Sequence, residues 1–200
     1  GAPQRKVSFT VPTGNFGDIF AGYVAKRMGL PIDRLVIATN RNDILHRTLE
    51  TGEHRKEGVA PSISPSMDIE VSSNFERLLF ELHDREGAAV VQLMTELRDA
   101  GGFALSQGAL AELREGFDSA RASEDETRAA IRETLAATGE VVCPHTATGI
   151  HAARVRRGDP AVPMVVLATA HAAKFPDAVE EACGIRPELP ARMADLFERP

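Results

Sequence analysis

Apolar residues alternate at Val7, Phe9 and Val11, and then the period changes. From Asp18 to Met28 the spacing predicts an amphipathic helix, stopped by Gly29-Leu30-Pro31. Arg34 to Ala38 reads as a buried strand and Asn42 to Glu50 as a second helix. Strand, helix, strand, helix in this rhythm predicts an α/β fold, a parallel sheet with flanking helices. Residues 51–71 carry Gly, Pro and Ser without periodicity and read as a long loop, a feature that in a compact domain usually serves function or moves.

From Ser73 to about Gly139 the texture turns helical and acidic. Phe75, Leu78, Leu79 and Leu82 share one helix face, as do Val90, Leu93, Met94 and Leu97, and Leu110, Leu113 and Phe117 extend the pattern. Ser123-x-x-Glu126 has the form of a capping box opening a helix through Ala137. Strand signals return at Val141-Val142-Cys143, followed by a helix from His145 to Arg156 and a last apolar strand, Pro163 to Ala168. Helical pieces near 176–183 and 188–198 close the chain. The expected organisation is one structural domain in three parts: an α/β segment 1–71, a helical insertion 72–139, and a return to the α/β layer over 140–200.

Two hundred residues with 43% hydrophobic and 26% charged content suffice for one globular core. A net charge of −6 argues against a nucleic-acid or anionic-membrane partner. No apolar run approaches the roughly 20 residues of a membrane span, and nothing at the start has the form of a signal peptide. Cys143 and Cys183 offer neither a disulfide framework nor a CxxC, which fits a reducing cytoplasm. Cys143, His145 and His151 lack metal-ligand spacing, so no metal is expected.

The candidate chemistry begins at Gly14-Asn15-Phe16-Gly17-Asp18, between the first strand and the first helix. Glycines let backbone approach a ligand, and helix N-terminal N–H groups attract an anion. Asn15 adds a side-chain donor and Asp18 is placed to cap the helix. On these residues alone, a tight turn that binds nothing fits equally well.

The surroundings carry a resemblance. Val11-Pro12-Thr13-Gly14-Asn15-Phe16-Gly17-Asp18-Ile19 resembles the cofactor-phosphate loop of the threonine synthase family of pyridoxal 5'-phosphate (PLP) enzymes. The likeness continues through Ala38 to Leu45, Ser64 to Ile69, Ser72 to Leu79, Pro144 to Ala147 and Ala168 to Pro176. Cys143 stands where many members have an acidic residue, and Ala172 where Pro is common. Members are considerably longer and the chain opens Gly1-Ala2-Pro3 without an initiator Met, so it is expected to be their C-terminal part.

The resemblance implies a fold type II PLP enzyme, a carbon–oxygen lyase of threonine biosynthesis converting O-phospho-L-homoserine and water to L-threonine and phosphate. It implies that Gly14, Asn15, Phe16, Gly17 and Asp18 cradle the cofactor phosphate and that the Thr169 hydroxyl meets the ring nitrogen. Ser73, Asn74 and Arg77 are the implied substrate-phosphate residues, although Ser73-x-x-Glu76 is also a capping box. Ser64, Ser66 and Asp68 sit in the long loop, where they could border the site. The chain has four lysines, Lys6, Lys26, Lys56 and Lys174, whereas the family's Schiff-base lysine lies upstream. The fragment alone is therefore expected to be inactive and to need the N-terminal part of the enzyme. Two other readings stay open: a non-catalytic module binding a phosphorylated metabolite, and another PLP lyase such as a threonine dehydratase.

Overall fold

The computed structural model describes residues 5–199. Its centre is a four-stranded parallel sheet ordered β5–β2–β1–β6, formed by β1 (Val7–Pro12), β2 (Ile32–Thr39), β5 (Asp118–Arg121) and β6 (Met164–Val166). β1 and β2 run in register from Phe9↔Leu35 to Pro12↔Ala38, and β6 extends the sheet at Thr10↔Val166. A small antiparallel pair, β3 (Glu53–Arg55) with β4 (Gly102–Ala104), sits apart.

Alternation along β2 builds two different cores. Leu35 and Ile37 face a large apolar cluster with Phe16, Ile19, Leu45, Phe75, Leu78, Leu79, Leu113 and Phe117. This face is covered by α1 (Gly17–Arg27), α2 (Ile44–Thr51), α3 (Phe75–Leu82), α4 (Gly87–Asp99) and α5 (Gln107–Gly116). On the other face Val36, Ala38, Ala120 and Ala152 form a thin layer of small residues. Small side chains let α7 (Pro144–Arg156) lie close on the sheet. A Cβ on Gly149 would stand 2.9 Å from Val166 and 3.1 Å from Pro12, so glycine is required there. α7 is flanked by α6 (Glu124–Thr138), which in turn packs on α8 (Pro176–Cys183). No helix among the described residues is long and apolar enough to cross a membrane.

Several local expectations are corrected. The region 72–139 is not purely helical: it contributes β4 and also β5, which pairs with β2 from Val36↔Asp118 to Thr39↔Arg121. The loop 51–71 contains β3 and a short 3₁₀ turn, Pro65–Met67. Val141-Val142-Cys143 is not a strand, because Cys143 serves as the N-cap of α7, its sulfur accepting from the Thr146 N–H. The last strand is shorter than 163–168 and lies at the sheet edge, with Val165 exposed. Over 188–198 only Ala191–Met193 makes a helical turn. Asp18 is not a cap: α1 begins after Phe16, and no side chain caps it. The Ser73–Glu76 box is also unformed, with Asn74 at the α3 N-cap making no side-chain cap bond. The Ser123–Glu126 box forms as expected, both halves present.

Candidate functional site

Parallel strands feeding helices leave a crevice beyond their carboxyl ends, where α/β proteins place ligands. Here that crevice is a cleft of about 240 Å³ walled by Pro12 to Ile19, Ser66, Met67, His145 and Thr169. Three elements converge on it: the turn from β1 to α1, the tip of the long loop, and the first turn of α7. Thr169 follows β6 by three residues, and the ladder continues one step past the strand through Leu167 N–H to the Thr10 carbonyl.

The Gly14 turn is polarised. The Thr13 N–H donates to the Ala38 carbonyl and the Phe20 N–H to the Phe16 carbonyl. Between them the N–H groups of Gly14, Asn15, Phe16, Gly17, Asp18 and Ile19 meet no acceptor among the described residues. The carbonyls, by contrast, are taken. Ser72 Oγ donates to Gly14 O at 2.7 Å, and Asn74 donates to Asn15 O from both its side chain (2.9 Å) and its backbone (3.1 Å). A loop whose acceptors are consumed and whose donors are free presents positive potential, strengthened by the α1 dipole. Asn15, Gly17 and Asp18 are exposed, so these donors are reachable.

Phe16 fixes the turn's shape. Its φ of 65° is left-handed, a conformation costly for a residue with a side chain. Packing enforces it: the ring is 1% exposed, edge-on to Phe75 at 5.3 Å and tilted on Phe117 at 5.6 Å. The two glycines differ in reason. A Cβ on Gly14 would lie 2.9 Å from Ser66 O, so the protein itself demands glycine. A Cβ on Gly17 would meet only Asn74 Nδ2, at an ordinary 3.5 Å.

The sequence places His145 within the Pro144–Ala147 likeness and weighs it as a metal ligand lacking partners, but assigns it no role at the cleft. It is 3% exposed, and its Nε2 accepts the Ser66 N–H at 3.1 Å. Nδ1 has no partner. Burial, then nearby Lys174, pushes its pKa below the ordinary histidine range, with Asp68 opposing. Of the long-loop candidates, Ser66 reaches the cleft, while Ser64 and Asp68 work beneath it. Asp68 accepts from Asn40 Nδ2, Asn42 Nδ2 and both the N–H and Oγ of Ser62, and Ser64 Oγ accepts from Asn40.

The candidates 73, 74 and 77 separate. Asn74 is spent on Asn15, whereas Ser73 and Arg77 line a second, open cleft with Phe20, Glu76, Phe80 and Val91. Lys6, Lys26, Lys56 and Lys174 do not line the Gly14 cleft.

Comparison with known proteins gives this geometry a context. The family model for threonine synthase, C-terminal, matches residues 146–200. The threonine synthase of Pseudomonas aeruginosa is 54% identical over 200 residues, all of this chain and 43% of that protein. A crystal structure of PLP-bound threonine synthase from Brucella melitensis superimposes with a TM-score of 0.96 at 59% identity, over 100% of this chain and 43% of that one. Yeast threonine synthase matches at 0.90 and 39% identity, covering 98% and 43%. The chain thus spans less than half the length of these relatives, and its parallel sheet with flanking helices is that of fold type II PLP enzymes. By sequence and by fold, the chain belongs to the threonine synthase family and corresponds to the C-terminal part of its members.

Proposed function

We propose that this chain supplies the cofactor-phosphate and ring-nitrogen contacts of a PLP-dependent threonine synthase, which converts O-phospho-L-homoserine and water to L-threonine and inorganic phosphate. The observation that carries the reading is the run of six unpartnered N–H groups, Gly14 to Ile19, at the start of α1. The cleft fits a phosphate: it offers a row of backbone donors beside Asp18, the one carboxylate among the described residues of its wall, and a glycine at 17 that no protein neighbour requires. Each charge-assisted bond to a phosphate contributes on the order of 1.5–3 kcal/mol, so a few backbone donors with Asn15 anchor the group without Lys or Arg.

When bound, PLP supplies an electron sink for carbanion character on the substrate. The chain's own residues bind and orient. Phe16, packed from two sides, keeps the donors converged. Thr169 offers a neutral hydroxyl to the ring nitrogen, and a neutral partner holds no proton there as a carboxylate would. Neutral His145 keeps the loop tip in place. Ser73 and Arg77 are read as anchors for the substrate's own phosphate; the Arg77 guanidinium makes no ion pair among the described residues. The lysine that links the cofactor is assigned to the part of the protein that this chain does not span.

The test is phosphate release from O-phosphohomoserine with added PLP, comparing the natural-length protein with this chain. Release by the long form alone is the expected result. No release by the long form while PLP is bound would overturn the activity, and failure to bind PLP would overturn the site.

A further inference from the structure

We propose that His145 is a positioning residue for the wall of the cleft: its unprotonated Nε2 accepts the Ser66 N–H and holds Ser66 and Met67 against the Gly14 turn. The inference rests on the cofactor reading for what the cleft contains, but not for the contact itself.

The long loop is tied at two levels. At its base, the Asp68 carboxylate gathers Asn40, Asn42 and Ser62, each at 2.6–2.8 Å. At its tip, the 3₁₀ turn Pro65–Met67 touches the site, and there the Ser66 amide has only His145 as acceptor among the described residues. The tip sits hard on the Gly14 turn: Ser66 O and Met67 Cα would stand 2.9 and 3.3 Å from a Cβ on Gly14. A small displacement of Ser66 therefore alters the cleft wall directly.

The bond depends on protonation state. With Nε2 accepting, the ring proton is on Nδ1, which is buried and unpartnered. A second proton must go to Nε2, where it would face the Ser66 N–H, donor against donor, and the tie is lost. The charged groups facing the ring are Lys174, from the 3₁₀ turn after β6, which disfavours the second proton, and Asp68, from the loop, which favours it. The Phe175 ring packs on the imidazole at 4.6 Å, and the Cys143 thiol is engaged with Thr146. Burial dominates this balance, so the ring is neutral at pH 7 and the tie releases only below the ordinary value of 6.5.

The experiment is hydrogen exchange of the Ser66 amide in the natural-length protein from pH 8 to 5, corrected for intrinsic exchange, with PLP affinity measured by cofactor fluorescence in parallel. Wild type should be protected at neutral pH and lose protection by about 2- to 10-fold at the acid end, the loss of one hydrogen bond. His145→Gln, whose Oε1 can accept in the place of Nε2 but does not titrate, should stay protected throughout. His145→Leu should be unprotected at every pH and bind PLP more weakly. Ser66 protection that ignores pH in wild type, or that titrates in His145→Gln as in wild type, would overturn the proposal. Should His145→Leu fail to fold, the wild-type and Gln pair decides alone. Titrating protection in a protein that never binds PLP would uphold His145 and sink the cofactor reading; unchanged protection with PLP bound would do the reverse.

Discussion

Substituting the two glycines of the β1–α1 turn by alanine separates a structural glycine from a ligand-facing one. In Gly14→Ala the new Cβ meets Ser66 O at 2.9 Å and both Met67 Cα and Ile69 Cδ1 at 3.3 Å, and two of these three are backbone atoms that cannot rotate away. Overpacking of this kind costs about 1–3 kcal/mol. For a chain of this size each kcal/mol lowers Tm by about 2–4 °C, so a loss of roughly 2–12 °C follows. In Gly17→Ala the nearest atom, Asn74 Nδ2, is 3.5 Å away and φ is not left-handed, so nothing strains. Alanine at a helical position is favoured over glycine by up to about 1 kcal/mol, so Tm holds or rises slightly. On the phosphate reading proposed above, the added methyl would crowd the amides at the start of α1. Loss of one charge-assisted bond, about 1.5–3 kcal/mol, weakens PLP roughly 10- to 100-fold. Thermal unfolding of the cofactor-free protein and a PLP fluorescence titration read the two effects independently. A Gly17→Ala protein that melts early yet binds PLP at wild-type strength would refute the assignment of these amides to an anion.

Thr169→Val removes the hydroxyl from an exposed position, so stability should stay within about 0.5 kcal/mol while phosphate release slows and the cofactor's absorption spectrum shifts; an unchanged spectrum and rate would take Thr169 out of the site. Phe16→Ala removes a ring that is 1% exposed and leaves alanine with a left-handed φ, so urea unfolding should show a loss of about 3–5 kcal/mol, and a loss below about 1 would contradict the packing described. His54 is sandwiched between Phe75 and Phe103 at 5.2 and 4.8 Å, and burial pushes its pKa down to about 4 from 6.5, with Arg47 adding to the fall. Because the unfolded chain takes the proton first, the stability His54 carries is complete above pH 6.5 and is lost as pH falls toward 4, about 3 kcal/mol in all. Urea midpoints across that window should fall accordingly, and should fall less in His54→Gln.

What the sequence made legible was local. Val7 to Val11 and Leu35 to Ala38 advertise strands because their apolar runs are long enough to set a period, and Ser123 with Glu126 closes its own capping box within one turn. β5 was missed because Asp118-Ser119-Ala120-Arg121 has no strand texture; pairing with β2 makes it a strand, and the close approach of α7 keeps Ser119 and Ala120 small and buried. Val141 to Cys143 misled in the opposite sense, an apolar run used to lead into a helix rather than to pair. Asp18 and Ser73 were plausible caps by type, yet the backbone enters α1 two residues before Asp18 and α3 one residue after Ser73.

The site divides in the same way, and the division bears on whether the turn binds. Gly14 to Asp18 are contiguous, so their donors were visible. What polarises them comes from far along the chain: Ser72 reaches Gly14 O across 58 positions, and Asn74 reaches Asn15 O across 59. His145 reaches Ser66 across 79. A plain connecting turn satisfies its N–H and carbonyl groups alike, against its own backbone or water. Here two side chains are spent on the carbonyls at the turn's back, a packed aromatic holds it in a left-handed conformation, and the amides at its front are left open. An unpaired donor row gains nothing for the free protein and costs it the backbone strain at Phe16. On the proposed reading, a phosphate would bring several acceptors at once to the exposed amides of Asn15, Gly17 and Asp18, while Phe16 and Ile19 lie buried, so the ties around the turn argue for an anion more strongly than its two glycines do.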